Sequence, residues 1–245
     1  MFTWLSFGSA LPSKVAQFSV GANSTCPRVR GCTAEHRRQR GYAAAMPRLI
    51  FFCGHAGTGK TTLARRTIAA LMAEAHVQCT GESFCLLDKD TLYGDYSSAV
   101  MGVLTGDPND RDSPPYLQHL RNPEYHGLMK TARENLGLGV STIVVGPLSR
   151  EVKAHQLADR AWLGVADDVQ VRIVWVTLQE AEARRRIAAR GNANDAWKLA
   201  HWDDYRTRLF TLDPAEYPEL LMFDNTAAGA PEFDALMQAL AKGSE

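Results

Sequence analysis

Residues 48–71 read RLIFFCGHAGTGKTTLARRTIAAL. The stretch changes period in its middle. Leu49 to Cys53 is a short apolar run closed by Gly54, the pattern of a strand buried on both faces. From Lys60 the apolar residues recur at helical spacing: Leu63, Ala64, Thr67, Ile68, Leu71, Met72 and Ala75. That spacing predicts a helix over KTTLARRTIAALMAEAH, residues 60–76. Between strand and helix, Gly54 and Gly59 with Lys60 and Thr61 satisfy G-x-x-x-x-G-K-[ST]. Glycines let the chain fold so that backbone N–H groups converge on phosphate oxygens. The following helix adds unpaired N–H groups and the positive end of its dipole. The expected contacts are Gly54, His55, Ala56, Gly57, Thr58, Gly59, Lys60, Thr61 and Thr62. Lys60 would reach the outer phosphates, and the Thr61 hydroxyl would face Mg²⁺. The expected ligand is a purine nucleoside triphosphate with Mg²⁺.

Outward from this point the chain alternates. SFCLLD (83–88), STIVVG (141–146), VQVRIVWV (169–176) and PELLMFDN (218–225) read as four further strands. Helices are expected at 122–139, 149–164, 179–190, from 194 onward and at 231–242. Asn122 is the expected cap of the first of these, with Pro123 in its first turn. TGDPNDRDSPPY (105–116) reads as an exposed loop. Alternating strands and helices predict an α/β fold, a five-stranded parallel sheet sandwiched by helices. Ligands of such sheets gather at the carboxyl ends of the strands. Those ends are Gly54, Asp88, Gly146, Thr177 and Asp224.

The composition sets outer bounds. The 245 residues fit one medium domain plus an extension, or two small domains. Lys plus Arg and Asp plus Glu balance at 27 each. This excludes a wholly basic nucleic-acid binder and a highly charged disordered chain. No apolar run approaches about 18 residues, so no membrane span is expected. The balance hides a division: residues 1–46 carry six basic residues and one acid, and the remainder carries a net −5. Residues 1–46 therefore read as an N-terminal extension, and 47–245 as the folded domain. The extension is an inert or artefactual stretch ahead of Met46, a targeting segment, or a functional arm. Five scattered cysteines without a CxxC pair argue against zinc and a disulfide framework, and for a reducing, cytoplasmic setting. Cys53 and Cys85 read as small core residues. Nothing in the composition sets an oligomeric state.

Two further groups carry chemistry. LLDKDTL places Asp88 and Asp90 two apart at the end of the second strand. In an extended segment both carboxylates face the same way. One would hold Mg²⁺; the other would orient and deprotonate an acceptor hydroxyl. The plainer reading of Asp90 is a helix cap. Farther on, Arg186 and Arg190 lie four apart on one helix face, where cations would clamp a transferring phosphoryl group. The plainer reading is a solvated ladder with Glu182. Trp202 and Tyr205 share a face and read chiefly as packing.

The phosphate loop and the Asp88/Asp90 pair together resemble the P-loop small-molecule kinases, the group of gluconate and shikimate kinases, chloramphenicol phosphotransferase and the polynucleotide 5′-hydroxyl kinase domain. The resemblance spans roughly residues 47–242. It implies transfer of the γ-phosphoryl of Mg-ATP to the hydroxyl of a small molecule. It assigns Asp90 as base and Asp88 as metal organiser. It makes 185–205 a lid whose arginines are Arg186 and Arg190, hinged at Gly191-Asn192. It puts the acceptor against residues 91–122 and the adenine near Asn225 and Thr226, which otherwise cap the last helix. One departure stands out. Gly146-Pro147 follow strand three where many P-loop enzymes carry an acid, which favours transfer over motor-type hydrolysis. The alternatives are an ATPase switch acting on a protein partner and a nucleic-acid 5′-hydroxyl kinase. The latter conflicts with the −5 balance and the missing basic stripe.

Overall fold

The computed structural model describes residues 46–78, 80–226 and 229–241. The reading of residues 1–45, with Cys26 and Cys32, lies outside the described residues, as does Cys79. The strands are β1 (Arg48–Cys53), β2 (Phe84–Asp88), β3 (Ser141–Val145), β4 (Gln170–Thr177) and β5 (Leu220–Asp224). All pairings are parallel, in the order β2-β3-β1-β4-β5. The fold is α/β, a five-stranded parallel sheet flanked by helices. β1 is central, pairing Phe51 with Val144 on one side and Ile173 on the other. After β3 the chain crosses β1 to build β4 and β5. The carboxyl end of β1 is therefore the switch point, where such sheets open a crevice.

The strand alternation sorts β1 between two cores. Leu49, Phe51 and Cys53 face helix α4 (Arg121–Gly137), packing with Leu128, Ala132 and Leu136. Ile50 and Phe52 face α1 (Lys60–Val77) and α10 (Ala230–Ala241), packing with Leu63, Leu71, Phe233 and Leu240. Both phenylalanines are fully buried, each contributing about 2–3 kcal/mol of apolar transfer. Cys53 lies in the first core and Cys85 packs against it, both free thiols. Met72, expected on the buried face of α1, is half exposed; Leu71 and Ala75 carry the contact instead.

Several local expectations are corrected. The segment 105–116 is not wholly loop, because α3 (Pro114–His119) starts inside it with proline in its first turn. Asn122 does not cap α4. Leu120 ends α3 and starts α4 with one backbone conformation, so the second helix is fed by the first and needs no side-chain cap. The expected helix 149–164 is two short ones, α5 (Ser149–Lys153) and α6 (Arg160–Leu163). His155 at φ 52° breaks the run, and Asp159 caps its second part by accepting from the Ala161 and Trp162 amides. After α7 (Glu180–Arg190) the expected single helix is a 3-10 turn (Ala193–Asp195) with α8 (Ala196–Ala200) and α9 (Trp202–Arg206), divided at His201. Among the described residues no helix is long and apolar enough to cross a membrane.

Candidate nucleotide and phosphoryl-transfer site

The loop from Gly54 to Gly59 leaves β1 at the switch point and enters the 18-residue α1. Its three glycines hold left-handed or otherwise positive φ: Gly54 139°, Gly57 79° and Gly59 88°. Space as well as conformation demands them. A Cβ on Gly54 would collide with the Val176 carbonyl, and one on Gly57 would lie 2.8 Å from the Ala183 carbonyl. No side chain caps the N-terminus of α1. Its first amides therefore take no side-chain partner.

Lys60 folds back across the loop and donates to the His55 carbonyl at 2.6 Å. Burial lowers its pKa to about 8, against the opposing pull of the Asp90 carboxylate, with the Arg190 charge adding to the depression. Thr58 is buried and donates to the same carbonyl. His55 turns inward: its Nε2 lies 3.1 Å from the Phe210 carbonyl oxygen and 3.2 Å from the Phe210 amide, and its ring meets Trp175 and Phe210 edge-on. Burial holds the imidazole below its ordinary pKa, assisted by the Lys60 and Lys153 charges. His55 thus braces the loop from beneath. Thr62 is exposed on the first turn of α1.

Thr61 and Asp88 come together, with Thr61 Oγ1 donating to Asp88 Oδ2 at 2.8 Å. Asp88 Oδ1 accepts from the Asp90 and Thr91 amides and so caps α2 (Lys89–Thr105). The capping role weighed for Asp90 belongs to Asp88. The shared extended face does not hold either, since the helix starts at Lys89 and Asp90 lies in its first turn. Asp90 still reaches the loop. Its carboxylate pairs with Lys89 at 3.1 Å and feels Lys60 and Arg190. The Asp90 side chain is exposed; the three cations outweigh the penalty of the protein packed beside it and hold its carboxyl below the usual range.

The helix α7 crosses above the loop. A Cβ on Gly59 would approach Arg186 Nη1 to 3.5 Å. Arg186 also donates to Glu182 at 2.8 Å, as does Arg185 at 2.7 Å. The two guanidinium groups hold the Glu182 carboxyl down to about 2. The weighed ladder exists only in its first rung, because Arg190 turns instead to Asp195. Gly191 ends α7 at φ 60°, and Asn192 caps the 3-10 turn. Trp202 and Tyr205 pack on Ile187, with Ala56 of the loop against the same cluster. Asn225 donates to the Thr58 carbonyl at 2.8 Å. It therefore steadies the loop and does not cap α10; Thr226 accepts from the Gln179 amide.

Residues 91–122 are mostly helical, and their interior holds a polar cluster not expected from the sequence. Lys89 donates to Glu124 at 3.0 Å and to Tyr116, and Glu124 also accepts from Ser97. All four side chains are buried. The signal was the lysine lodged between the two aspartates. Of the candidate acceptor residues, Arg111 is tied to the Gly94 carbonyl and Ser98, and Arg121 to buried Glu151 at 2.8 Å. Tyr96 is exposed. A separate cavity of about 240 Å³, lined by Tyr125, His126, Met129 and Trp162 among others, contains none of the expected nucleotide-loop residues.

The donor set suits Mg²⁺, a hard ion that takes oxygen ligands and usually keeps waters and substrate phosphates. A hydroxyl and a carboxylate oxygen 2.8 Å apart beside the phosphate loop are such donors. Among the described residues no group of three or more His, Cys, Asp or Glu is placed to hold a metal, so these oxygens would share the ion with the phosphates.

No curated protein matches the sequence. The structure is similar to that of Kti12 from Chaetomium thermophilum in complex with ADP-AlF3, at TM-score 0.53 and 16% identity over 80% of this chain and 100% of that one. It is similar to APE1195 at TM-score 0.51 and 20% identity, over 80% and 96%. A sugar kinase from Janibacter sp. HTCC2649 matches at TM-score 0.49 and 17% identity, over 80% and 99%. The first two likenesses show a shared fold. The profile of the AAA domain family matches residues 49–212, the span that holds the phosphate loop, Asp88, Asp90, Arg186 and Arg190. The chain belongs to the AAA domain family of P-loop proteins.

Proposed function

We propose that this protein is an ATP-dependent phosphotransferase that moves the γ-phosphoryl of Mg-ATP to the hydroxyl of a small molecule. The observation that carries the reading is the Gly54–Gly59 loop entering α1 with Arg186 over Gly59, where the Lys60, Asp90 and Arg190 charges act on one another. Phosphoryl transfer needs few parts: cations on the transferring group, a loop to hold the donor, and an acid that orients the nucleophile. Lys60 and Arg190 supply the first, and Gly54 to Thr62 the second. The Asp90 carboxylate is ionised and placed to accept a proton from an acceptor hydroxyl. Arg186, above Gly59, adds charge on the nucleotide side. Asp88 and Thr61 would hold Mg²⁺, which when bound neutralises phosphate charge. The Lys60 ammonium is the group most changed by ligand: phosphate oxygens would replace the His55 carbonyl and return its pKa toward the ordinary lysine range.

The acceptor would enter between α2 and the segment that follows α7, against residues 91–122, and residues 185–205 would act as a lid. Val145, Gly146 and Pro147 at the end of β3 carry no carboxylate, so the chemistry leans on the acids after β2. The reading is tested by ADP release from Mg-ATP, alone and with pooled sugars, nucleosides, aminoglycosides, short-chain hydroxy acids and a 5′-hydroxyl oligonucleotide. Stimulation by one small-molecule pool, with a phosphorylated product, supports it; stimulation by the oligonucleotide alone overturns the small-molecule acceptor. Steady release that no pool alters overturns it in favour of an ATPase switch.

A further inference from the structure

Arg190 is not held by its own helix. Its Nε donates to Asp195 Oδ2 at 2.6 Å, and its Nη2 lies 2.5 Å from the same oxygen. Asp195 is only 3% exposed, and its other oxygen faces Lys198 Nζ at 3.6 Å. Lys198 is itself largely buried and pairs with Asp112 Oδ2 at 3.1 Å. Asp112 lies in the loop between α2 and α3, on the acceptor side, and its Oδ1 accepts from Arg208 at 2.9 Å. Arg208 in turn covers the Trp197 ring at 4.6 Å. The result is an unbroken row of alternating charges, Asp112–Lys198–Asp195–Arg190, from the acceptor-side loop to the guanidinium beside Lys60 and Asp90.

Burying such charges is costly. Asp195, Lys198 and Asp112, the largely buried members, each lose several kcal/mol of hydration, and replacement by apolar residues is often neutral or stabilising. A hydrophobic contact would join these segments at less expense. What the ion pairs provide is direction, because a charge-assisted N–H···O bond to a buried carboxylate restricts where the guanidinium can reach. We propose that Asp112, Lys198 and Asp195 are positioning residues that aim Arg190 at the transferring phosphoryl group and make that aim depend on the acceptor-side loop. The inference rests on the phosphotransferase reading above. It adds that the two sides of the cleft are linked through one buried lysine, so that disturbing Asp112 weakens stabilisation of the transferring group without touching the nucleotide.

The test compares the full chain with Asp112→Asn, Asp112→Glu and Lys198→Met, measuring affinity for Mg-ADP and for Mg-ADP with aluminium fluoride, a mimic of the transferring phosphoryl. It needs no identified acceptor. Chemical denaturation of each variant checks folding. The expected result is that wild type binds tighter with aluminium fluoride than without. Asp112→Asn and Lys198→Met should lose about tenfold or more of that gain at wild-type ADP affinity, and Asp112→Glu should restore most of it. An undiminished gain in both variants overturns the relay. So does a parallel loss of ADP affinity, which would mark the ion pairs as a structural staple. A wild-type protein that binds ADP but gains nothing from aluminium fluoride overturns the phosphotransferase reading, and the relay with it.

Discussion

Thr61 and Asp88, 27 residues apart in sequence, are joined by a 2.8 Å hydrogen bond from hydroxyl to carboxylate. The bond locks the first turn of α1 to the end of β2. It places two oxygen donors side by side under the phosphate loop. The same carboxylate caps α2 through its other oxygen, so Asp88 carries two separable duties.

Separating them gives the first prediction. Asp88→Asn keeps a carbonyl oxygen for the cap and should leave stability nearly unchanged while weakening Mg²⁺-dependent nucleotide binding. Asp88→Ala should lose both, with about 1 kcal/mol from the cap. Urea unfolding beside Mg²⁺ titrations of nucleotide binding checks this. Equal stability of the two variants would contradict the capping role.

Lys60 and Asp90 should fail differently. Lys60→Ala should abolish nucleotide binding and leave the fold intact, since among the described residues its side chain hydrogen-bonds only to its own loop. Asp90→Asn should bind nucleotide nearly as wild type and lose transfer by a factor of about 10² or more. Calorimetric nucleotide binding and product formation on the same preparations decide between them. An unchanged transfer rate in Asp90→Asn would exclude it as the base.

Gly54 predicts a backbone effect. At φ 139° any side chain is strained, and its Cβ meets the Val176 carbonyl. Gly54→Ala should cost about 1–3 kcal/mol, seen as a lower urea midpoint, together with weakened nucleotide binding. A wild-type midpoint would show that the loop relaxes around the methyl.

His55 gives a pH signature. Its folded pKa lies below the ordinary value because of burial, followed by the Lys60 and Lys153 charges. The unfolded chain therefore takes up the proton first as pH falls, and the native state loses stability below the unfolded pKa of about 6.5. His55→Gln should flatten unfolding free energy between about pH 7.5 and 5.5. Retention of the full slope in that variant would place its source elsewhere.

The sequence made the sheet legible because its signals are local. The LIFFC run, the glycines after it and the 3.6-residue recurrence from Leu63 each lie within one element. The same holds for the glycine turn from Gly54 to Gly59 that leads β1 into α1. What escaped was set by contacts between distant segments or by single backbone angles. Asn122 looked like a cap until α3 was found running into α4. His155 broke a helix whose apolar period continued past it. Asp90 was expected on an extended segment, yet the Asp88 cap starts the helix one residue earlier. The Arg190 partner could not be guessed, because Asp195 lies beyond a glycine turn; nor could the Asp112–Arg208 pair, which spans 96 residues.

The central claim is that the cleft transfers a phosphoryl group to an alcohol. It is tested most directly by following an isotope-labelled γ-phosphoryl from Mg-ATP in the presence of the acceptor pools, with Lys60→Ala as control. The account predicts label in a phosphate ester drawn from one pool, absent with Lys60→Ala. Label found only in inorganic phosphate, at a rate no pool changes, would contradict it.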